Sequence, residues 1–135
     1  MSEKSDRRLV VQVLHGLHAI AVENPVHPGT PDVNYVEGWL ELKWLPNWPR
    51  RGGVVRLPKL RRDQVLFLER RWAAGGRAHL LLHVQETREW LLYEGGAVGM
   101  LGQVGVEELR QLACRRWVGT QFKEELEACL SVRRT

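Results

Sequence analysis

Cysteine is scarce in this chain: there are two, Cys114 and Cys129, and no CxxC pair. A disulfide framework and a structural zinc site therefore lack support, and both thiols read as reduced core residues in helical sequence. Long apolar runs are missing as well. None approaches the ~18 residues that cross a bilayer, so no membrane span is expected. The opening Met-Ser-Glu-Lys-Ser-Asp-Arg-Arg has no secretory apolar segment, which makes a cytoplasmic location the default expectation. The sequence contains no GxxxxGK[ST] loop, no GxGxxG after a strand, no HExxH and no Gly-x-Ser-x-Gly elbow. ATP use, hydride transfer and serine hydrolysis are thus unsupported. With no repeat, low-complexity tract or linker, residues 1–135 read as a single domain.

What is present suits one packed core. The chain has 135 residues, 44% of them hydrophobic and 27% charged, ordinary for a globular domain. A net charge of +4 and a pI of about 9.5 favour an acidic partner without specifying nucleic acid.

The most informative stretch runs from Gly29 to Trp44. It reads as two short strands joined at Glu37-Gly38, because X-Gly between apolar runs signals a hairpin. Side chains alternate along a strand, so Trp39, Glu41 and Lys43 share one face and Leu40, Leu42 and Trp44 the other. Antiparallel pairing brings Asp32, behind Pro31, alongside Glu41. Two carboxylates form a hard oxygen site suited to Mg²⁺ or Mn²⁺. A lysine beside them can position water or stabilise charge on a phosphate. This is a plan for phosphodiester hydrolysis.

Pro31-Asp32 followed by Glu41-Leu42-Lys43 resembles the PD-(D/E)XK nuclease superfamily, which includes restriction endonucleases, archaeal-type Holliday-junction resolvases and VRR-NUC nucleases. Gly29-Thr30-Pro31-Asp32-Val33 and Trp39-Leu40-Glu41-Leu42-Lys43 fit its local frame. Leu60-Arg61-Arg62-Asp63-Gln64, Phe67-Leu68 and Ala74-Gly75-Gly76 are similar to the helix that follows in small members. The resemblance spans roughly residues 6–94. It implies a restriction-endonuclease-like α/β fold, a mixed and mostly antiparallel sheet flanked by helices. It further implies a Mg²⁺-dependent (or Mn²⁺-dependent) DNA endonuclease. Asp32, Glu41 and the Leu42 carbonyl would hold the metal, Lys43 would orient water, and Gln64 would lie near Lys43 or the scissile phosphate. In this family the first helix often adds an acidic residue near the metal. Asp6, at the start of the helix, and Glu23, on the extended stretch after it, are the candidates for that role.

The remaining chain fits around this centre. Residues 6–20 read as a helix with Ser5 as N-cap and a Leu9, Val13, Leu17, Ile20 stripe; His15 and His18 lie three apart on it. Residues 24–31 are irregular, interrupted by Pro25, Pro28, Gly29 and Pro31. His27 and Thr30 there either meet a phosphate or are simply solvated. In the irregular segment 45–58, Trp48 either stacks on an unpaired base or pins the loop, and Arg50 and Arg51 are placed for backbone phosphates. Residues 59–74 read as a second helix ended by Gly75. It carries inward Gln64 beside Leu60, Phe67 and Leu68, with Arg56, Lys59, Arg61, Arg62, Arg70 and Arg71 on or leading to its other face as a duplex footprint. Residues 77–84 and 88–93 read as a strand hairpin with His79 and His83 half-exposed. Residues 106–117 and 120–132 read as a helix pair that completes the core or joins two subunits.

The expectation is a structure-selective, Holliday-junction-resolvase-like endonuclease acting on duplex or branched DNA as a homodimer. The competing class is a non-catalytic basic DNA- or partner-binding protein of the same fold.

Overall fold

The computed structural model describes residues 3–131. Helix α1 (Glu3–Val13) begins three residues earlier and ends seven earlier than the periodicity predicts. Ser5 therefore lies inside the helix rather than capping it. The buried stripe is Asp6, Val10, Leu14 and Leu17, offset from the expected one. A 3₁₀ turn (His15–Leu17) follows, His18 takes a left-handed conformation at φ 54°, and Ile20 enters a strand, 48% exposed.

Strands β1 (Ile20–Ala21), β2 (Val33–Tyr35) and β3 (Gly38–Leu45) pair antiparallel in sequence. Tyr35 opposes Gly38, so the hairpin loop is Val36-Glu37. Gly38 is required by packing rather than by turn geometry. A Cβ there would lie 2.1 Å from the Arg77 carbonyl oxygen on the next strand.

Helix α2 (Arg62–Ala73) then carries the chain to β4 (Arg77–Val84), which runs parallel to β3 with Glu41 beside Leu80 and Lys43 beside Leu82. A helical crossover is what a parallel pair demands. Gly75, at φ 95°, sits just past the α2 C-cap as expected. β5 (Glu89–Glu94) returns antiparallel, followed by a 3₁₀ segment (Gly95–Met100) and α3 (Val106–Leu112).

Residues 115–118 are not helical. They form β6 (Arg115–Val118) along β5, before α4 (Phe122–Ser131). In Arg115-Arg116-Trp117-Val118 only Trp117 is buried, at 3% exposure. One anchor with exposed neighbours suits an edge strand. Cys114, just before it, is exposed rather than core; Cys129 is half-buried, and both thiols are free.

The sheet is mixed, six-stranded and ordered β1-β2-β3-β4-β5-β6, with β3–β4 as the parallel pair. Helices α1 and α4 cover one face, where Val10, Leu14, Phe122 and Leu126 pack on Leu40, Leu42, Leu81 and Trp90. On the other face, α2, α3 and the 3₁₀ segment bring Leu68, Val98 and Leu109 against Leu80, Leu82, Leu91 and Tyr93. This is the α/β architecture expected from the sequence. Among the described residues no helix is long and apolar enough to cross a membrane.

Candidate active site

β3 has eight residues and β2 three, so β3 runs on past the end of its partner. At that step the backbone of Leu42 would be left unpaired. Asp32, the residue immediately before β2, fills the gap: its Oδ2 accepts the Leu42 N–H at 2.9 Å. A strand residue's N–H and C=O address the same neighbour, so the Leu42 carbonyl faces the same open edge. A cavity of about 190 Å³ lies there, lined by Glu3, Lys4, Arg7, Asp32 and Leu42.

Gly29 sets the approach to Asp32. Its φ is 89°, and a Cβ would lie 2.5 Å from the Asp63 carbonyl oxygen. Only glycine lets the loop pass this close to the start of α2.

Glu41 lies on the α2 side of β3 and is 1% exposed. Among the described residues neither of its carboxylate oxygens has a hydrogen-bond partner. Burial, then the charge of nearby Asp32, pushes the Glu41 carboxyl up to about 9; Lys43 opposes this without winning. Two ionised carboxylates are both acceptors and cannot satisfy each other. Lys43 Nζ lies 3.7 Å from Glu41 Oε2 and 3.7 Å from Glu3 Oε1, and donates to the Lys59 carbonyl at 3.1 Å. Glu3 is itself raised, first by burial, with Asp32 adding and Lys43 and Lys59 opposing.

Orphaned carboxylate oxygens beside an open carbonyl are a donor set that fits a hard divalent cation. Among the described residues no group of three or more His, Cys, Asp or Glu side chains converges to hold a metal. A full protein cage is what Ca²⁺ uses; Mg²⁺ is commonly held by one or two carboxylates, with water and substrate phosphate completing the shell.

Neither acid weighed from the sequence as the additional ligand stands at this cavity. Asp6 is 2% exposed and turns to the opposite face of the sheet, where its Oδ2 lies 2.8 Å from His83 Nδ1. The His83 ring stacks on Trp90 at 3.9 Å, and Trp90 on Phe122 at 3.9 Å. His79 and His83 are thus buried, at 3% and 5% exposure, rather than half-exposed. Glu23 has 86% of its side chain exposed and meets Arg7 at 3.9 Å. The acid that reaches Lys43 is Glu3. Periodicity places the helix start at residue 6, too late to include Glu3; an acid in the first turn of the helix is the signal that points to it.

The other singled-out residues divide. The Gln64 side-chain oxygen accepts the Arg61 N–H at 3.0 Å, so this buried amide caps α2. Trp48 pins its loop: Nε1 donates to Glu89 Oε1 at 2.7 Å, and the Arg110 guanidinium sits 5.7 Å from the ring centre. Its N–H is spent on Glu89, so Trp48 anchors the loop after β3 to β5. Thr30 Oγ1 donates to the His27 carbonyl at 2.7 Å. Arg50 pairs loosely with Glu86 at 3.5 Å, and Arg61 with Asp63 at 3.1 Å. Arg51 and Arg62 are exposed.

Among known proteins, no protein-family model matches the chain, and no curated protein matches it in sequence. Among solved structures it is similar to Archaeoglobus fulgidus Hjc, described as a Holliday junction resolvase from an archaeal hyperthermophile. The identity is 21%, the match covers 80% of this chain and 90% of that one, and the TM-score is 0.48. At that identity, function has to be read from the site itself.

Proposed function

We propose that the protein is a metal-dependent DNA endonuclease that selects branched or otherwise irregular DNA. One observation carries this reading: Asp32 stands at an open step in the sheet next to the buried Glu41 and Lys43, and both Glu41 oxygens lack a hydrogen-bond donor among the described residues. Such a pair is unfavourable in an apoprotein without a function, because burial of unpaired carboxylates costs stability.

Asp32, Glu41 and the Leu42 carbonyl would hold Mg²⁺ or Mn²⁺, with Glu3 replacing Glu23 as the additional acid. When bound, the ion supplies Lewis-acid charge and lowers the pKa of water. The chain's own groups do the positioning. The Leu42 N–H fixes the Asp32 carboxylate. Glu3 and Glu41 hold the Lys43 ammonium between them, where it orients the attacking water and stabilises charge on the phosphate. In-line attack on phosphorus releases the 3′ oxygen as a hydroxyl and leaves a 5′-phosphate. Arg50, Arg51, Arg61 and Arg62, with Thr30 at the loop before Asp32, form the backbone footprint. A junction resolvase cuts two strands, so a homodimer with two such sites belongs to this reading.

The test is a cleavage panel of four-way junction, flap, nicked, single-stranded and linear duplex DNA, with Mg²⁺ or with EDTA. Cleavage should require the metal and favour a branched substrate. Lys43→Ala should reduce the rate by about 10²–10³-fold while duplex affinity is largely kept. Tight binding with no metal-dependent cleavage on any substrate would instead assign a binding protein.

A further inference from the structure

We propose that the cavity of about 350 Å³ between the Pro28 loop and the outer face of α2 receives one unpaired nucleotide of the substrate, beside the bond that is cut. This deepens the nuclease reading and rests on it.

The starting observation is an amphipathic helix with an apolar stripe to spare. α2 turns Gln64 and Leu68 into the core, and both are buried. Leu66 and Phe67 point elsewhere: both are half-buried and line the cavity instead. Phe67 meets Trp39 edge-on at 5.7 Å, and the Arg71 guanidinium lies 4.9 Å from its ring centre. Arg70 and Arg71 are both exposed and line the same cavity. Asp63 also lines it, but its carboxylate is paired with Arg61 at 3.1 Å. The result is an apolar, aromatic floor under a rim of two guanidinium groups.

That combination fits a nucleotide. A base stacks on an aromatic ring or on a planar guanidinium, and arginines take the phosphate. The volume lies within the usual range for small-ligand pockets, about 300–1,000 Å³. A paired base within a duplex has both faces covered and cannot reach the ring, so the occupant is unpaired. Position ties the cavity to the chemistry. Trp39 shares its strand face with Glu41, two residues and about 6–7 Å away. Pro28 lies in the loop that Gly29 locks against Asp63 just before Asp32. A base held here marks a strand whose pairing is broken next to the scissile phosphate, which is what a junction or flap offers and a linear duplex does not.

The experiment compares two duplexes of equal length, one fully paired and one carrying two unpaired nucleotides. Binding is measured by fluorescence anisotropy in EDTA, with 2-aminopurine at an unpaired position as a stacking signal. Wild-type protein should prefer the unpaired DNA and change the probe's fluorescence on binding. Phe67→Ala should lose about five- to tenfold of that preference, together with the probe response, and Phe67→Trp should restore both. Equal affinity of the wild type for the two duplexes, or a preference and probe response that survive Phe67→Ala, would overturn the proposal. If the wild type cleaves DNA yet shows no such preference, this inference alone fails. If it neither binds nor cleaves DNA, the nuclease reading fails and takes the inference with it.

Discussion

Glu41 is a carboxylate placed at the expense of stability. Its folded value of about 9 stands above the ordinary 4.5, so across that interval the folded state holds the extra proton. Stability is therefore full below about 4.5 and falls as pH rises towards 9. Glu41→Gln keeps the shape and removes the ionisable group, so the unfolded state no longer gains by losing that proton. In EDTA near pH 8 it should raise Tm by about 3–5 °C, a gain on the order of 1 kcal/mol, while abolishing cleavage. Thermal melts from pH 5 to 9 read this directly, and a variant that melts with or below wild type at pH 8 speaks against it. The alternation of Glu-Leu-Lys on a strand made Glu41 and Lys43 legible, as did the position of Asp32 behind Pro31. Glu3 was not legible, because its place depends on where α1 starts. First-turn residues of a helix carry little periodic signal of their own.

At the scale of elements, Glu89 ties the irregular parts to the sheet. It sits on β5, 1% exposed, and accepts from Trp48, Arg110 and Arg116 at 2.7–3.0 Å. The loop after β3, helix α3 and the edge strand β6 are thereby fastened to one carboxylate. Burial alone would raise its pKa, but hydrogen bonds from Arg110, Trp48 and Arg116 overcome this and hold it down to about 2. The stability it contributes is present above the unfolded value near 4.5 and is lost as pH falls through 2. Glu89→Gln should cost about 1–3 kcal/mol at neutral pH, reduced from a fully buried pair because the arginines are partly exposed. The deficit in denaturant titrations should shrink towards acid pH, and one that is absent at pH 7 would remove Glu89 from this role. Hub residues of this kind are invisible in sequence, since the partners lie 21 to 41 positions away. The sequence predicts helix through residue 117, across most of β6, for a related reason: four residues with one buried tryptophan are too short to show a period, and pairing with β5 decides their state.

For the molecule as a whole, the family resemblance implied the mixed sheet, and local patterns marked only its central strands. The first hairpin, expected at Glu37-Gly38 and found one residue earlier, the helix ending at Gly75 and the strand pair around residues 85–88 are set by nearby sequence. A helix between β3 and β4 makes their parallel pairing the natural outcome. The folded chain then performs one operation that no segment performs alone. The step between β2 and β3, the first turn of α1 and the loop locked by Gly29 converge on an acidic pair, Asp32 and the buried Glu41, that the single Lys43 ammonium does not neutralise.

Calorimetric titration of the protein with Mn²⁺, repeated on Asp32→Asn and Glu41→Gln, tests that convergence most directly. Asparagine retains an oxygen for the Leu42 N–H, so the loop stays in place while the charge is lost. Binding at one site per chain, weakened at least tenfold in both variants, is the predicted result. Absence of binding by the wild type, or binding that both substitutions leave unchanged, would contradict it.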